Sequence, residues 1–339
     1  RSLVYFNRVP KQRKYKYGNE IYTAEHMIRS LETMSRFLND GPSTSALNRF
    51  IRDRYHVYAS AANTDPQVLF TGYYEPTYTG SRSPDARFSY PLYSIPADLL
   101  EIDLGLFSED YKGHKRLRAR VDGNRVVPYY SREQINAIPD FANRSAPVLW
   151  LENRIDRFFL EVQGSGRIRT PDGEIVRVHY AGSNGNRYRS IGRYLIRQGE
   201  IAKKDMSMQA IRKWLKANPH RMDEVLHQNP SFVFFKTEKG GPYGSIGVAL
   251  TPFRSIATDR KLFPNGALCF LRSAFPDRDG QQPPDQWKKA SLFVMNQDTG
   301  GAIRGPGRAD IFCGNDAYAE FAAGHMNCRG SLYFLVMKQ

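Results

Sequence analysis

What most constrains this chain is the way its apolar residues are parcelled. From Phe232 onward they arrive in short bursts, "SFVFFK", "GVAL", "ALCFL", "ASLFVMN", "ADIFCG" and "SLYFLVMK", each cut off by turn formers or polar residues. Runs of this length, rich in Val, Phe and Leu, predict strands. The same punctuation begins near Leu69 with "VLFTGYYEPTYTGS", where Pro76 and Gly80 break a Tyr- and Thr-rich run. It continues through "DRFFLEVQGSGRIR", with turns expected at "TPDGE" and "YAGSNGN". A mainly β body follows. Helices are expected in the first fifty residues, where Met27, Leu31, Met34 and Leu38 make an apolar stripe that "NDGPSTS" stops. Two more are expected: one carrying Met208, Ile211 and Leu215 and ending before Pro219, and a short one at "MDEVLHQNPS".

A chain of 339 residues is long for one core, and about 150 residues per domain predicts two. The net charge of +15 calls for an acidic partner: nucleic acid, a membrane surface or an anionic polymer. It is unevenly placed, with twelve Lys/Arg against four Asp/Glu between Arg167 and Lys216. No RNA-binding or zinc-finger signature accompanies it. No apolar run approaches the roughly 20 residues that span a bilayer. A start at Arg1 implies a processed chain whose targeting segment is out of view. Of the three cysteines, Cys269 reads as a buried strand residue, while Cys313 and Cys328 are candidates for a disulfide in an oxidising compartment. Without a C-x-x-C pair or an H-E-x-x-H spacing, neither metal nor cofactor is expected.

Four clusters hold small, aromatic and acidic residues outside core patterns: Thr71–Pro76, Glu161–Gly166, Gly241–Asp259 and "NQDTGGAIRGPGRADIFCG" from Asn296 to Gly314. Gly164-Ser165-Gly166 fails as a dinucleotide loop, because position 169 is Arg, and as a nucleophile elbow, which needs G-x-S-x-G. It reads as a tight turn between strands. Gly300-Gly301…Gly305 lacks the Lys-Ser/Thr of a phosphate loop, so these glycines are expected to supply positive φ angles or close packing. The carboxylates Glu75, Glu161, Asp298 and Asp310 suit glycan cleavage, which needs an acid at the departing oxygen and usually a second carboxylate as base or nucleophile. Turn and cap roles compete for each of them.

Together "TGYYEP", "DRFFLEVQGSGRIR", "YAGSNGNRYRSIGRYLI", "NPSFVFFK", "GVALTPFRSIATD" and "DTGGAIRGPGRADIFCG" resemble the membrane-bound lytic transglycosylase A family of Gram-negative bacteria, from about Leu69 to the C-terminus. The resemblance implies a double-psi β-barrel domain, residues 1–75 and 237–339, with a smaller β-barrel domain, 76–236, inserted and a deep groove between them. It implies cleavage of the β-1,4 bond between N-acetylmuramic acid and N-acetylglucosamine in peptidoglycan, the muramic C6 hydroxyl attacking C1 to leave a 1,6-anhydro ring.

The family's catalytic aspartate falls on Asp310, with Asp298 its companion in the loop before it. Because the substrate brings its own nucleophile, one acid serves twice, as donor and then acceptor. Burial and the like charge of Asp298 are expected to raise its pKa. Thr71, Tyr73, Gln163, Ser165 and Lys236, with Gly300 and Gly301, are expected to bind sugar. The resemblance further implies a periplasmic, outer-membrane-anchored monomer, partnered by peptidoglycan strands and other cell-wall enzymes and not by nucleic acid. Lactyl and peptide carboxylates of peptidoglycan would answer the positive charge, basic residues of the insertion holding the strand or steering it in. Two other readings stay open: a muramidase pairing Asp310 with Asp298 or Glu75, and a non-catalytic glycan- or nucleic-acid-binding module.

Overall fold

The computed structural model describes residues 1–60, 67–114, 116–276 and 287–339. The chain divides into two compact units, one made of Arg1–Tyr74 with Gly240–Gln339 and the other of Glu75–Lys239.

The first unit opens on helix α1 (Ser2–Arg8), a hairpin of β1 (Lys14–Tyr17) and β2 (Glu20–Thr23), and helices α2 (Ala24–Asn39) and α3 (Thr44–Arg54). The hairpin corrects the helical reading of the first fifty residues. "KYKY" alternates with period two, turns at Gly18-Asn19 and buries Tyr15, Tyr17 and Tyr22. In α2 the stripe behaves as its spacing requires: Thr23 caps the N-terminus, and Met27, Leu31 and Met34 are buried, while Leu38 in the last turn is exposed.

The remaining strands of this unit are β3 (Tyr55–Ser60), β4 (Val68–Tyr73), β14 (Ser255–Ala257), β15 (Leu268–Phe275), β16 (Lys288–Asp298), β17 (Arg308–Phe312) and β18 (Asn327–Met337). They run in the order β15-β16-β14-β17-β4-β18-β3, and β18 also pairs with β15. Six strands therefore close into a ring, with β3 attached outside it. The β14–β16 and β17–β4 pairs are parallel and the other pairs antiparallel. Phe70, Leu271, Ile311 and Leu332 line its core, each stabilising the fold by about 1.5–3 kcal/mol through burial. Helix α9 (Ala317–His325) crosses between β17 and β18. "GVAL" is not a strand; it contributes one isolated bridge, Tyr243 to Ala249.

In the second unit a six-stranded sheet has the order β13-β12-β11-β5-β10-β6, and its end strands β13 (Val233–Thr237) and β6 (Tyr90–Tyr93) return into contact. Between them lie β12 (Ile175–Ser183), β11 (Ser165–Arg169), β5 (Thr77–Ser81) and β10 (Pro147–Leu151) around a core of Leu92, Leu149, Leu160, Ile168, Val178 and Phe235. A small sheet of β7 (Leu100–Ile102), β8 (Leu117–Asp122) and β9 (Arg125–Pro128) and helices α4 (Arg132–Ala137), α5 (Arg154–Gln163), α6 (Ile191–Arg197), α7 (Met208–Ala217) and α8 (Met222–His227) complete it. Helix α5 corrects the β reading of "DRFFLEVQ". Asn153 caps it through the Asp156 N–H, and Ile155, Phe158 and Phe159 face the core at helical spacing. No described helix is long and apolar enough to cross a membrane.

Candidate active site

The first unit's barrel brings two carboxylates onto one face. Asp310, in β17, has Thr71 of β4 as its register partner on one side and Ala257 of β14 on the other. Ala257 in turn faces Asp298 at the end of β16. The four residues make a row across four strands. With strands about 4.8 Å apart, two spacings set the aspartate Cα atoms roughly 10 Å from each other. A β-bulge creates the row: the register slips between Ile256 and Ala257, so that β16 contributes one extra residue, Gln297. Without that residue Asp298 would point to the opposite face. Gln297 is buried and fixed at both ends of its amide: it accepts from the Ser255 hydroxyl at 2.7 Å and donates to Ser2 Oγ at 2.9 Å.

The two aspartates are held very differently. Asp298 accepts three hydrogen bonds, from the Tyr73 hydroxyl at 2.8 Å, the Ser245 N–H at 2.9 Å and the Thr299 N–H at 2.8 Å. Asp310 accepts one among the described residues, from the Thr71 hydroxyl. Burial raises the pKa of both carboxyls. For Asp298 the three donors oppose the rise; for Asp310 the Thr71 hydroxyl and the more distant Arg308 guanidinium do. The like charge of Asp298, expected to help raise Asp310, is not a cause, which corrects that part of the reading. An intervening strand and three donors on Asp298 explain why. The Tyr73 phenol, pushed up by burial and then by Asp298, stays a donor.

The Ser245 contact depends on the residue before it. A Cβ on Gly244 would lie 2.2 Å from the Gln297 carbonyl oxygen, so only glycine lets this loop press against the bulge and aim the next N–H at Asp298. Thr299 acts through its backbone, and Ser245 through its N–H with its hydroxyl as a lesser contribution. Of Gly300 and Gly301, neither has positive φ; that falls to Gly305, at 80°. A Cβ on Gly300 would crowd Ile303 at 2.9 Å, whereas one on Gly301 would meet nothing within 4 Å. Close packing therefore accounts for Gly300 and not for Gly301.

Gln163, Ser165 and Lys236 belong to the second unit, whereas Thr71 and Tyr73 belong to the first. Gln163 ends α5, and Gly164 (φ 80°) caps that helix before Ser165 opens β11. The expected strand-to-strand turn is thus a helix-to-strand turn. Ser165 faces His179 and His179 faces Lys236, so the three share a row across β11, β12 and β13. Lys236 is exposed and pairs with Glu238 at 3.0 Å.

The other two carboxylates are locked away. Glu75 is fully buried beside Arg177 at 3.4 Å. Glu161 lies between Arg132, at 2.5 Å, and Arg157, at 3.8 Å. Neither is available to a substrate oxygen. All three cysteines are free, so the disulfide expected between Cys313 and Cys328 does not form. Cys313 follows β17 beside Tyr73, and Cys328 is opposite Phe70 across the other edge of β4. Three residues along a strand and two strand spacings exceed the about 7 Å limit for bridging Cα atoms.

With this geometry in view, the comparisons with known proteins are specific. Residues 69–236 match the MltA specific insert domain and residues 254–336 the 3D domain. Membrane-bound lytic murein transglycosylase A of Escherichia coli K12 is 31% identical over 324 residues, covering 94% of this chain and 77% of the relative. The chain belongs to the membrane-bound lytic murein transglycosylase A family. A family relative from Vibrio cholerae is 33% identical over 275 residues, covering 79% of this chain and 65% of its own. Among solved transglycosylase structures, that of the Agrobacterium tumefaciens membrane-bound enzyme superposes with a TM-score of 0.79 at 28% identity, covering 99% and 91% of the two chains. The structure of Escherichia coli MltA with bound chitohexaose gives a TM-score of 0.73 at 29% identity, covering 91% and 83%.

Proposed function

We propose that this protein is a peptidoglycan lytic transglycosylase in which Asp310 alone carries the proton. The asymmetry of the two aspartates supports this reading most. An acid must hold its proton near neutral pH, and burial moves Asp310 in that direction, opposed by one hydroxyl, that of Thr71, and by the Arg308 guanidinium. Asp298, saturated by three donors, is placed to orient the Tyr73 and Ser245 side of the site rather than to exchange protons.

On this reading the Asp310 carboxylic acid gives its proton to the glycosidic oxygen as the bond to the muramic C1 breaks. The carboxylate then takes the proton of the muramic C6 hydroxyl as that oxygen bonds to C1. The ring closes as the 1,6-anhydro product, no water is consumed, and Asp310 regains its starting form. The partner is the glycan strand, and Thr71, Tyr73, Gln163, Ser165 and Lys236 are the proposed sugar-binding residues. The relatives' membrane-bound naming supports an envelope location, with the chain acting in the periplasm.

Digestion of purified sacculi followed by mass analysis tests the reaction. Muropeptides one water lighter than hydrolytic products, without a free reducing end, are expected. Free reducing ends would assign the protein to the two-carboxylate muramidases, and no products would leave a binding module.

The supporting contacts make their own predictions. Thr71→Val removes the bond that favours the charged form of Asp310, so its pKa rises further. The alkaline limb of kcat/KM is then expected at higher pH than in the wild type, read from a pH–rate profile; a limb moved downward would refute the assignment. Gly244→Ala should force the loop off β16 and withdraw the Ser245 N–H from Asp298. A drop in kcat on the order of tenfold with little change in KM is expected, the size of one misplaced charge-assisted hydrogen bond.

A further inference from the structure

The second unit owes its positive charge to one segment. Residues 187–217 hold nine Lys/Arg and two Asp/Glu, whereas the rest of Glu75–Lys239 balances at 18 of each. Elsewhere in the unit the cations are extensively paired, as in Arg82–Glu174, Arg87–Glu152, Arg116–Glu101 and Arg144–Asp98. In the segment only Arg212 is so held, by Asp156, while Glu200 is taken by Arg221 from outside it. Arg187, Arg189, Arg193 and Arg197 are exposed and make no ion pair among the described residues. The same holds for Lys203, Lys204, Lys213 and Lys216.

The fold gathers six of these charges on α6, α7 and the loop joining them, with Arg187 and Arg189 just before α6. Gly192 lets the two helices meet: a Cβ there would stand 3.0 Å from Ile211 Cδ1 of α7 and 3.1 Å from Met206 Sδ. Arg193 and Arg197 lie one turn apart on α6, as do Lys213 and Lys216 on α7. The apolar side chains of the same helices, Ile191, Leu195 and Leu215, turn into the core. No large hydrophobic side chain between 187 and 217 is exposed. A surface that enters a bilayer combines basic with exposed apolar residues, and this one lacks the second component. Arginine forks left unpaired suit carboxylates in water.

We infer that the outer face of α6 and α7 is a second substrate contact, taking the carboxylates of the peptide stems that the glycan bears. The inference rests on the transglycosylase reading for its substrate, and it makes the enzyme selective for peptide-bearing strands. Like-signed, unpaired charge raises the local concentration of an anionic polymer in a salt-dependent way.

The test uses the full chain with Arg193→Ser, Arg197→Ser, Lys213→Ser and Lys216→Ser combined, all at exposed positions, with a melting curve to verify folding. Cosedimentation with sacculi at low salt is expected to weaken about tenfold, with a flatter salt dependence. Turnover of glycan strands stripped of peptide by an amidase is expected to be unchanged. Unaltered sacculus binding, or an equal loss on stripped strands, would overturn the inference. A loss confined to vesicles containing phosphatidylglycerol would overturn it too, giving the face to a membrane. If the wild type released no anhydro product yet substitution still weakened sacculus binding, the contact would stand and the catalytic reading would fall.

Discussion

Asp310→Asn is expected to lower release of anhydro-muropeptides from sacculi by about 10³-fold or more while binding of sacculi persists. The size follows from the two proton transfers assigned to one carboxyl, each worth about 10²–10⁴ in rate. Asn keeps the shape and an acceptor for the Thr71 hydroxyl but can neither give a proton to the leaving oxygen nor take one from the C6 hydroxyl.

Stability should move the other way. Burial raises the native pKa of Asp310 above its unfolded value, so the native state binds the proton more tightly. Stability at this group is therefore greatest at low pH and declines as pH rises through the interval between the two values. At neutral pH the wild type must take up on folding a proton that the unfolded carboxylate does not hold, a cost that Asn does not carry. The variant should melt no lower than the wild type at pH 7, a trade common where a site is strained for function. Near-normal turnover would remove Asp310 from the mechanism. A lower melting point with activity lost in proportion would mean that the residue is structural.

Much of the fold is legible in the sequence, and what is hidden has a physical reason. The β bursts at "ALCFL", "ASLFVMN", "ADIFCG" and "SLYFLVMK" form β15 to β18, because short apolar runs between turn formers leave few other solutions. The hairpin at "KYKYGNEIYT" carried a period-two signal that the stronger helical stripe after it overshadowed. Helix α5 hides behind "FFL", a β-favouring triplet, although Asn153, Asp156 and Gly164 supply both ends of a helix. The choice between the aspartates was another matter. It depends on a bulge that turns Asp298 onto the face of Asp310 and on N–H groups of Ser245 and Thr299, neither of which residue types encode. Family resemblance points to Asp310, and the hydrogen-bond count supports that proposal.

Glu161 shows how a carboxylate in a promising motif can be structural, and it carries the second large prediction. It is 5% exposed and meets Arg132, itself 2% exposed, whose guanidinium also donates to the Asn229 and Ser231 carbonyls at 3.0 and 2.6 Å. Arg157, 8% exposed, approaches its other oxygen and donates to Asn136. Phe232 stacks beneath both guanidinium groups. Two cations buried around one anion tolerate its loss badly, since the arginines would keep their charge with no anion between them. Glu161→Ala is expected to destabilise the second unit by about 3–5 kcal/mol, read as an earlier unfolding transition in urea. Glu161→Gln keeps an acceptor for Arg132 and should cost less. Because Gln163 and Ser165 follow on the same helix end, sacculus binding should weaken only under conditions where the unit begins to unfold. A variant that stayed fully stable yet lost turnover would return Glu161 to the catalytic candidates, for a charge with no structural duty has no other reason to sit between two buried arginines.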